Sequence, residues 1–402
     1  MKKSFQTILL GSAFLFGLSM FLTSCEDILG EWSKPTPNAT SAKTAGEISY
    51  ASATLKKATR DQAFIFDLTN TGDGAVTYSS SNTAVATVNA TTGEVTPVGA
   101  GTTTITATVS DSESYTYAVK AQSYDLTLVA GYSYLKWNGT DALVEDIIAD
   151  GDYTEVTSSS IPALWNAATP SIAAGTYVIN DVITIDHGTY GEINIDGDVN
   201  LIIVDGKELI INDCISDATS QTYKLNIYGQ SNQTGKLTSS IASASMGSEN
   251  FLNLAELNIH SAQVTATNPA SMSTVIFGIT KLNVYGGSLK AEQSNLSKGI
   301  RFKAAITSEL NVYGGKVTVI GNNDYAIGDD DTGSVLTVNG GEFYAYSNNT
   351  SAISGTKVTL NFASELTGKA GAYADGWETD ASWGTSIATG YTGTDRCVKV
   401  TP

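Results

Sequence analysis

A six-residue phrase recurs along the C-terminal half of the sequence, as LNIYGQ, LNIHSA, LNVYGG, LNVYGG, LTVNGG and VTLNFA. The copies begin at Leu225, Leu257, Leu282, Leu310, Leu336 and Val358. Successive copies lie 32, 25, 28, 26 and 22 residues apart, and a period of this length is typical of a solenoid. Apolar and polar residues alternate within short runs, and Gly, Asn and Asp separate the runs. This pattern predicts three short strands in each repeat unit. The repeat therefore predicts a right-handed parallel β-helix, in which equivalent residues stack about 4.8 Å apart.

Two more apolar columns are expected beside the phrase. The second comprises Leu237, Val264, Leu289, Val317, Phe343 and Leu366, and the third comprises Ile276, Ile300, Ile327 and Ile353. Within the phrase itself, Leu310 and Val312 are expected to point inward while Asn311 and Tyr313 point outward. The Leu and Val positions are therefore scaffold, and the outward Asn and Tyr positions are free to carry a function.

Composition excludes one class of function. The chain has 402 residues, a formal net charge of -18 and only three arginines, Arg60, Arg301 and Arg396. A nucleic-acid-binding protein needs basic side chains to neutralise phosphates, so nucleic acid is not an expected partner. The low charged fraction of 15% and the abundance of Gly, Thr and Tyr favour an all-β protein.

The N-terminus has the pattern of a targeting segment rather than of a folded element. Lys2 and Lys3 precede an apolar run that ends in Leu22-Thr23-Ser24-Cys25. This ending resembles the lipobox of bacterial lipoprotein precursors, which implies that residues 1–24 are a signal peptide and that Cys25 is lipidated. A plain signal peptide with an incidental cysteine is the alternative. Acyl chains on Cys25 would attach the protein to a membrane, and the acidic pair after it resembles the export signal of bacterial surface lipoproteins, so we expect an outer-membrane protein facing the cell exterior.

Residues 25–46 are polar and include two prolines, which predicts a lipidated tether. Residues 47–129 contain the runs SSN, VATV, GEV and GTTTITATV, which are similar to the signature of the bacterial Ig-like group 2 domain. The resemblance implies a β-sandwich whose core includes Val85, Val88, Val95 and Ile105. It also implies a spacer role, with a ligand-binding module as the alternative.

Residues 130–174 are less regular, and we expect them to form a cap over the N-terminal end of the solenoid. Residues 175–368 are assigned to the parallel β-helix, and residues 369–402 to a C-terminal cap that contains several aromatic residues. The coils from Gly175 to Thr238 resemble bacterial surface β-helix proteins. The later coils resemble carbohydrate-binding β-helix proteins of bacteria, which implies surface display and polysaccharide binding.

Four outward positions of the phrase form the main candidate site. Tyr228, His260, Tyr285 and Tyr313 should align in one column as the coils stack. A strip of exposed aromatic rings can stack on the apolar faces of sugar rings, so this column is a candidate site for polysaccharide or host glycan. The alternative is a packing ladder without a ligand.

An acidic cluster is the candidate metal site. Asp324, Asp329, Asp330 and Asp331 lie close together in the sequence NNDYAIGDDDTG, and carboxylates in one loop can bind a hard cation such as calcium. A recognisable calcium-binding loop with a closing glutamate is absent, so a solvated acidic turn is the favoured interpretation and no cofactor is expected.

The sequence offers little for catalysis. Its only histidines are His187 and His260, which leaves little for a catalytic triad or a zinc site. Cys214 and Cys397 remain after Cys25, and their wide separation favours two buried thiols rather than a disulfide. The expected function is thus a non-catalytic glycan-binding surface lipoprotein. The alternatives are a structural or adhesive surface protein and, more distantly, a polysaccharide-degrading enzyme.

Overall fold

The structure is a computed structural model, and it describes residues 42–186, 192–219, 222–241, 249–269, 274–295, 297–302, 308–329, 333–354, 358–374 and 376–402. The signal peptide, Cys25 and most of the predicted tether lie outside these residues. The described chain is all-β apart from one 3-10 helix, with an Ig-like domain followed by a β-solenoid of about 7 turns. None of its described helical segments has the length and apolar character that crossing a membrane requires.

The Ig-like domain contains the first eleven strands. They are β1 Thr44–Gly46, β2 Ile48–Tyr50, β3 Thr54–Ala58, β4 Phe64–Ile65, β5 Leu68–Asn70, β6 Val76–Ser80, β7 Ala86–Val88, β8 Glu94–Pro97, β9 Gly101–Val109, β10 Tyr115–Tyr117 and β11 Ala121–Val129. Strands β3, β11, β9 and β6 form one sheet in that order, and β4, β8 and β7 form the facing sheet. Val85, Val95 and Ile105 are buried between them and Val88 packs against this core, as predicted. Residues 44–46 belong to this domain, because β1 pairs with β10, so the predicted tether is three residues too long.

A β-hairpin follows directly. Its strands are β12 Gly131–Trp137 and β13 Leu143–Ala149, and they pair in antiparallel fashion. Only Ala130 separates β12 from β11. At this junction Gly131 has φ +150, and a Cβ there would lie 2.0 Å from the carbonyl oxygen of Ile148, so the close approach of the two strands requires glycine.

Only part of the predicted cap, residues 130–174, covers the end of the solenoid, and the hairpin is not in that part. The hairpin lies along the side of the coils, and the end is covered instead by β14 Thr154–Val156 and the 3-10 helix Ala163–Asn166. Strand β14 pairs in parallel with the following strand, so parallel pairing starts about twenty residues before the predicted boundary. The indole of Trp165 is 1% exposed and closes the apolar interior.

The coils contain the next twenty strands. They are β15 Ser171–Ile179, β16 Val182–Ile185, β17 Glu192–Ile203, β18 Glu208–Ile211, β19 Cys214–Ser216, β20 Lys224–Gly229, β21 Lys236–Ser240, β22 Phe251–Leu252, β23 Glu256–Ile259, β24 Gln263–Asn268, β25 Ile276–Phe277, β26 Lys281–Val284, β27 Ser288–Gln293, β28 Ile300–Phe302, β29 Glu309–Val312, β30 Lys316–Gly321, β31 Ile327–Asp329, β32 Ser334–Val338, β33 Glu342–Ser347 and β34 Val358–Phe362. Three strands form each regular coil. The strands of the recurring phrase, β20, β23, β26, β29, β32 and β34, stack in parallel on one face.

The stacking register follows the repeat for five of its six copies. Leu225, Leu257, Leu282, Leu310 and Leu336 stack in one column, and the isoleucine column is formed as predicted. The last copy is shifted, because Leu336 pairs with Leu360 rather than with Val358. The alternation LTV against VTL permits both alignments, because a shift of two residues keeps the same side chains facing inward, and Val358 and Leu360 are both buried.

An antiparallel unit ends the solenoid. It comprises β35 Thr367–Gly371, β36 Thr385–Ile387 and β37 Cys397–Thr401. Phe343 pairs with Val400 of β37, so Leu366 does not continue its column as predicted. Lys399 is 4% exposed, and its Nζ donates to the carbonyl oxygens of Trp377 (2.6 Å) and Asp380 (2.7 Å). This buried cation holds the segment between β35 and β36 against the last coil.

Candidate functional site

The four candidate side chains form a continuous stack, which we call the aromatic column. Ring centroids are 4.4 Å apart for Tyr228 and His260, 4.8 Å for His260 and Tyr285, and 5.1 Å for Tyr285 and Tyr313. The three pairs are nearly parallel, with interplanar angles between 16° and 28°. The separations match the rise of about 4.8 Å per coil, because each phrase strand places its outward aromatic residue one coil above the last.

The repeat also explains the turn that positions this column. In the YGG copies the second glycine adopts a left-handed conformation, with φ +62 at Gly287 and +69 at Gly315. A Cβ at Gly287 would lie 2.1 Å from the carbonyl oxygen of Ala262 in the preceding coil. Any other residue would both strain the backbone and push the coils apart, so the turn after the tyrosine requires glycine.

The hairpin β12–β13 covers the aromatic column, and we call it the covering hairpin. The indole of Trp137 stacks on Tyr285, with centroids 5.2 Å apart and an angle of 21°, and lies 5.3 Å from Tyr313. Tyr134 meets Tyr228 edge-on at 5.0 Å. The column is therefore packed inside the protein on one side, and its four members are half-buried.

Hydrogen bonds fix the covering hairpin in register with the coils. The backbone N–H of Trp137 donates to Nδ1 of His260 at 3.0 Å. Oγ of Ser261 donates to the carbonyl oxygen of Leu135 at 3.1 Å, and Nε2 of Gln230 donates to that of Ser133 at 3.1 Å. These bonds satisfy backbone groups of β12 that its partner β13 does not reach.

His260 is held in its neutral form. Burial, with a smaller contribution from the positive charge of Lys136, lowers the pKa of His260 to about 4. Because Nδ1 accepts a hydrogen bond, the neutral ring carries its proton on Nε2. The imidazole is therefore a packing element at neutral pH and is a poor candidate for an exposed general base.

The outward asparagines of the phrase are also engaged, contrary to the expectation that they are free. Each amide Nδ2 donates to Oδ1 of the asparagine one coil before it, at distances from 2.8 to 3.0 Å. The members of this asparagine ladder are Asn200, Asn226, Asn258, Asn283 and Asn311. Asn258 and Asn283 are each 6% exposed. The ladder is a structural element that couples five successive coils.

The column therefore has the geometry of a packing ladder. A sugar ring binds an aromatic residue by stacking on a ring face, whereas the faces between successive rings of this column are paired with one another, and Trp137 also stacks on Tyr285. The aromatic edges that remain exposed offer little area for such stacking. The structure brings all four predicted residues together, but it places them in an arrangement that suits support of the covering hairpin better than sugar binding.

Asp324 is the member of the predicted acidic cluster whose side chain the structure describes. Asp324 lies 2.8 Å from Nζ of Lys298 and accepts a hydrogen bond from the backbone of Tyr325. The side chain of Asp329 and the whole of Asp330 and Asp331 lie outside the described residues. Among the residues that the structure does describe, no three carboxylate, histidine or cysteine side chains are grouped as metal ligands.

Both remaining cysteines are free and buried, as predicted. Cys214 lies on a solenoid strand and Cys397 begins the final strand of the antiparallel unit. Burial raises the pKa of both thiols, to about 12 for Cys397. They are therefore protonated and unreactive near neutral pH.

The Ig-like domain is fixed to the covering hairpin. Lys57 of β3 forms an ion pair with Glu145 of β13 at 2.5 Å, and Arg60 pairs with Asp150. The carboxylate of Asp61 accepts hydrogen bonds from the backbone N–H and the hydroxyl of Ser133. These contacts join two modules that the sequence pattern predicts as separate domains.

These features define a two-module, all-β protein in which a sandwich domain is fixed to a solenoid. Residues 43–119 match the family model of the bacterial Ig-like domain (group 2). The N-terminal sandwich is therefore a bacterial Ig-like domain of this group, which confirms the resemblance seen in its sequence. No curated protein and no solved structure matches the chain.

Proposed function

We propose that this protein is a non-catalytic lipoprotein of the bacterial cell surface, whose two modules form one rigid scaffold. The observation that carries the proposal is the junction between them. A single residue, Ala130, connects β11 to β12, and the two ion pairs and the Asp61 hydrogen bonds cross the same boundary. A linker this short leaves the domains little freedom to reorient.

The aromatic column and the asparagine ladder support the same role. The hairpin that begins at the junction extends along several coils, so a force on the Ig-like domain passes directly to the solenoid through Trp137 and its neighbours. Lipidation of Cys25 would attach this scaffold to the outer membrane, with residues 26–43 as the tether.

Distance measurements by pulsed electron paramagnetic resonance test the scaffold. Spin labels are attached to cysteines introduced at the exposed positions Thr91 and Thr392. The full chain also carries Cys25→Ser, which removes the cysteine of the predicted lipid anchor. The native Cys214 and Cys397 are buried and should not react with the label. We expect a narrow distance distribution. A matched variant with a Gly-Ser-Gly-Ser insertion after Ala130 should broaden it, and a parent distribution as broad as that of the insertion variant would contradict the proposal.

Cell fractionation tests the anchor. The parent chain should partition with the outer membrane and be digested when protease is added to whole cells. Cys25→Ser should release it from the membrane, whereas Ser24→Ala should not. Retention of the Cys25→Ser variant on the membrane would exclude attachment through the lipid.

Our second proposal is that the protein binds a glycan. The packed aromatic column does not support this function, but a polar cavity between the two modules does.

A further inference from the structure

A cavity of about 230 Å³ lies where the Ig-like domain, the covering hairpin and the solenoid meet, and we call it the junction cavity. The Ig-like domain contributes residues 61–64, the hairpin contributes Ser133, and the solenoid contributes Asp205 and residues 230–232. Ligand sites are common at such interfaces between modules. The volume is below the range of about 300–1,000 Å³ that accommodates drug-sized ligands, so the cavity fits a single ring-sized molecule.

One wall of the junction cavity is a continuous hydrogen-bonded network. Asp61 accepts from Ser133, the carbonyl oxygen of Ser133 accepts from Nε2 of Gln230 at 3.1 Å, and Oε1 of Gln230 accepts from the backbone N–H of Asp205 at 3.0 Å. Ser133, Gln230 and Asp205 are each less than 10% exposed. These groups are fixed by the Ig-like domain, the covering hairpin and the solenoid together, so the wall is formed before any ligand arrives.

Hydrogen-bonding capacity remains in this wall and around it. Within the described residues, Oδ2 of Asp61 accepts one hydrogen bond, from the backbone N–H of Ala58 at 3.0 Å, and Oδ2 of Asp205 accepts one, from the backbone N–H of Asn232 at 3.1 Å. Each oxygen thus keeps a lone pair for a hydroxyl donor. Within the described part of the chain, the side chains of Gln62 and Asn232 make no hydrogen bonds, so their amides are available to a ligand.

The lining selects among ligand classes. An anion would meet the carboxylates of Asp61 and Asp205, while the ammonium group of Lys57 is already paired with Glu145. A metal ion would need more grouped ligands than the described residues provide. A neutral sugar has several hydroxyl groups that both donate and accept, and apolar C–H groups that can contact the ring of Phe64, over which Nζ of Lys57 lies 5.5 Å from the ring centroid.

We propose that the junction cavity binds one neutral sugar residue, the size of a single hexose. The site would let the scaffold recognise the end of a glycan, because the cavity is too small for an internal stretch of chain. This proposal is independent of the proposed scaffold function, because the two modules can be rigidly joined whether or not the junction cavity binds a sugar.

Saturation-transfer NMR and calorimetry with methyl glycosides test the proposal. The full chain in detergent is titrated with the methyl α- and β-glycosides of glucose, galactose, mannose and N-acetylglucosamine. We expect at least one to bind, and the double substitution Gln62→Ala and Asn232→Ala to weaken that binding about tenfold or more, because each lost hydrogen bond reduces affinity severalfold. Both side chains are exposed and unpaired, so the double variant should melt at the parent temperature.

A matched control is available in Gln122→Ala. Gln122 also makes no side-chain hydrogen bond within the described residues, but it lies seven residues from the end of β11 that reaches the junction, about 24 Å away at the rise of a strand. This variant should bind like the parent. Failure of every glycoside to bind, equal binding by the double variant, or binding of methylammonium without any glycoside would overturn the proposal.

Discussion

Acidification should weaken the packing of the covering hairpin on the solenoid, because it protonates His260. In the folded protein this imidazole lies between Tyr228 and Tyr285 and accepts the backbone N–H of Trp137. A proton added to Nδ1 would remove that acceptor and place a charge in a mostly buried site. Burial, with a smaller contribution from the positive charge of Lys136, lowers the pKa of His260 from 6.5 to about 4, so folding opposes protonation.

The size of the effect follows from linkage between protonation and folding. The unfolded chain binds a proton at His260 below about pH 6.5, while the folded chain does so only near pH 4. Each tenfold change in proton affinity corresponds to about 1.4 kcal/mol. The stabilisation from neutral His260 is thus complete above pH 6.5, decreases as the pH falls from 6.5 to 4, and totals at most about 3.5 kcal/mol.

Histidine-labelled NMR measures the pKa directly. The chain has two histidines, so a His187→Gln variant leaves a single signal, whose midpoint we expect near pH 4. Urea unfolding at pH 7 and pH 4.5 measures the stability. His260→Gln keeps a hydrogen-bond acceptor but does not titrate, so it should lose this part of the pH dependence. A midpoint between pH 6 and 7 in the folded parent would refute the packing of His260 beneath the hairpin.

Three further substitutions test the interactions that stabilise the solenoid. Trp137→Ala should cost about 2–4 kcal/mol and increase amide hydrogen exchange in the covering hairpin, while Trp137→Phe should cost less because a ring still covers Tyr285. Asn283→Ala should cost about 1–3 kcal/mol in chemical denaturation, because it leaves amides unpaired on both neighbouring coils; a cost indistinguishable from zero would contradict the ladder. Lys399→Met should make the segment around Trp377 a preferred site in limited proteolysis, since its two carbonyl acceptors lose their donor, and an unchanged cleavage pattern would contradict that role.

The solenoid was predictable from sequence because its information is local and repeated. Alternation within each phrase distinguishes inward Leu310 from outward Tyr313, and the spacing of the phrases aligns them. The same logic failed at the last copy, where alternation alone does not distinguish Val358 from Leu360 as the partner of Leu336. The spacing of a repeat therefore predicts the strand register only where neighbouring copies have the same residue pattern.

The covering of the aromatic column was not predictable in this way. Trp137 and His260 are 123 positions apart, and no periodicity connects a hairpin to the coils beside it. One signal was present in the sequence: β12 carries Tyr132, Tyr134 and Trp137 within six residues. That is more aromatic surface than a short hairpin can bury by itself.

The covering hairpin restricts how the length of this protein can change. From Tyr132 to Trp137 the strand advances about 17 Å, at about 3.4 Å per residue. Over the same interval the solenoid rises from Ile202 to a point between Tyr285 and Tyr313, which at about 4.8 Å per coil is also about 17 Å. An extra coil inserted within this interval would move every later contact out of register, whereas a coil duplicated beyond Tyr313 would leave the hairpin undisturbed. Variation in coil number among related chains should therefore fall on the C-terminal side of Tyr313.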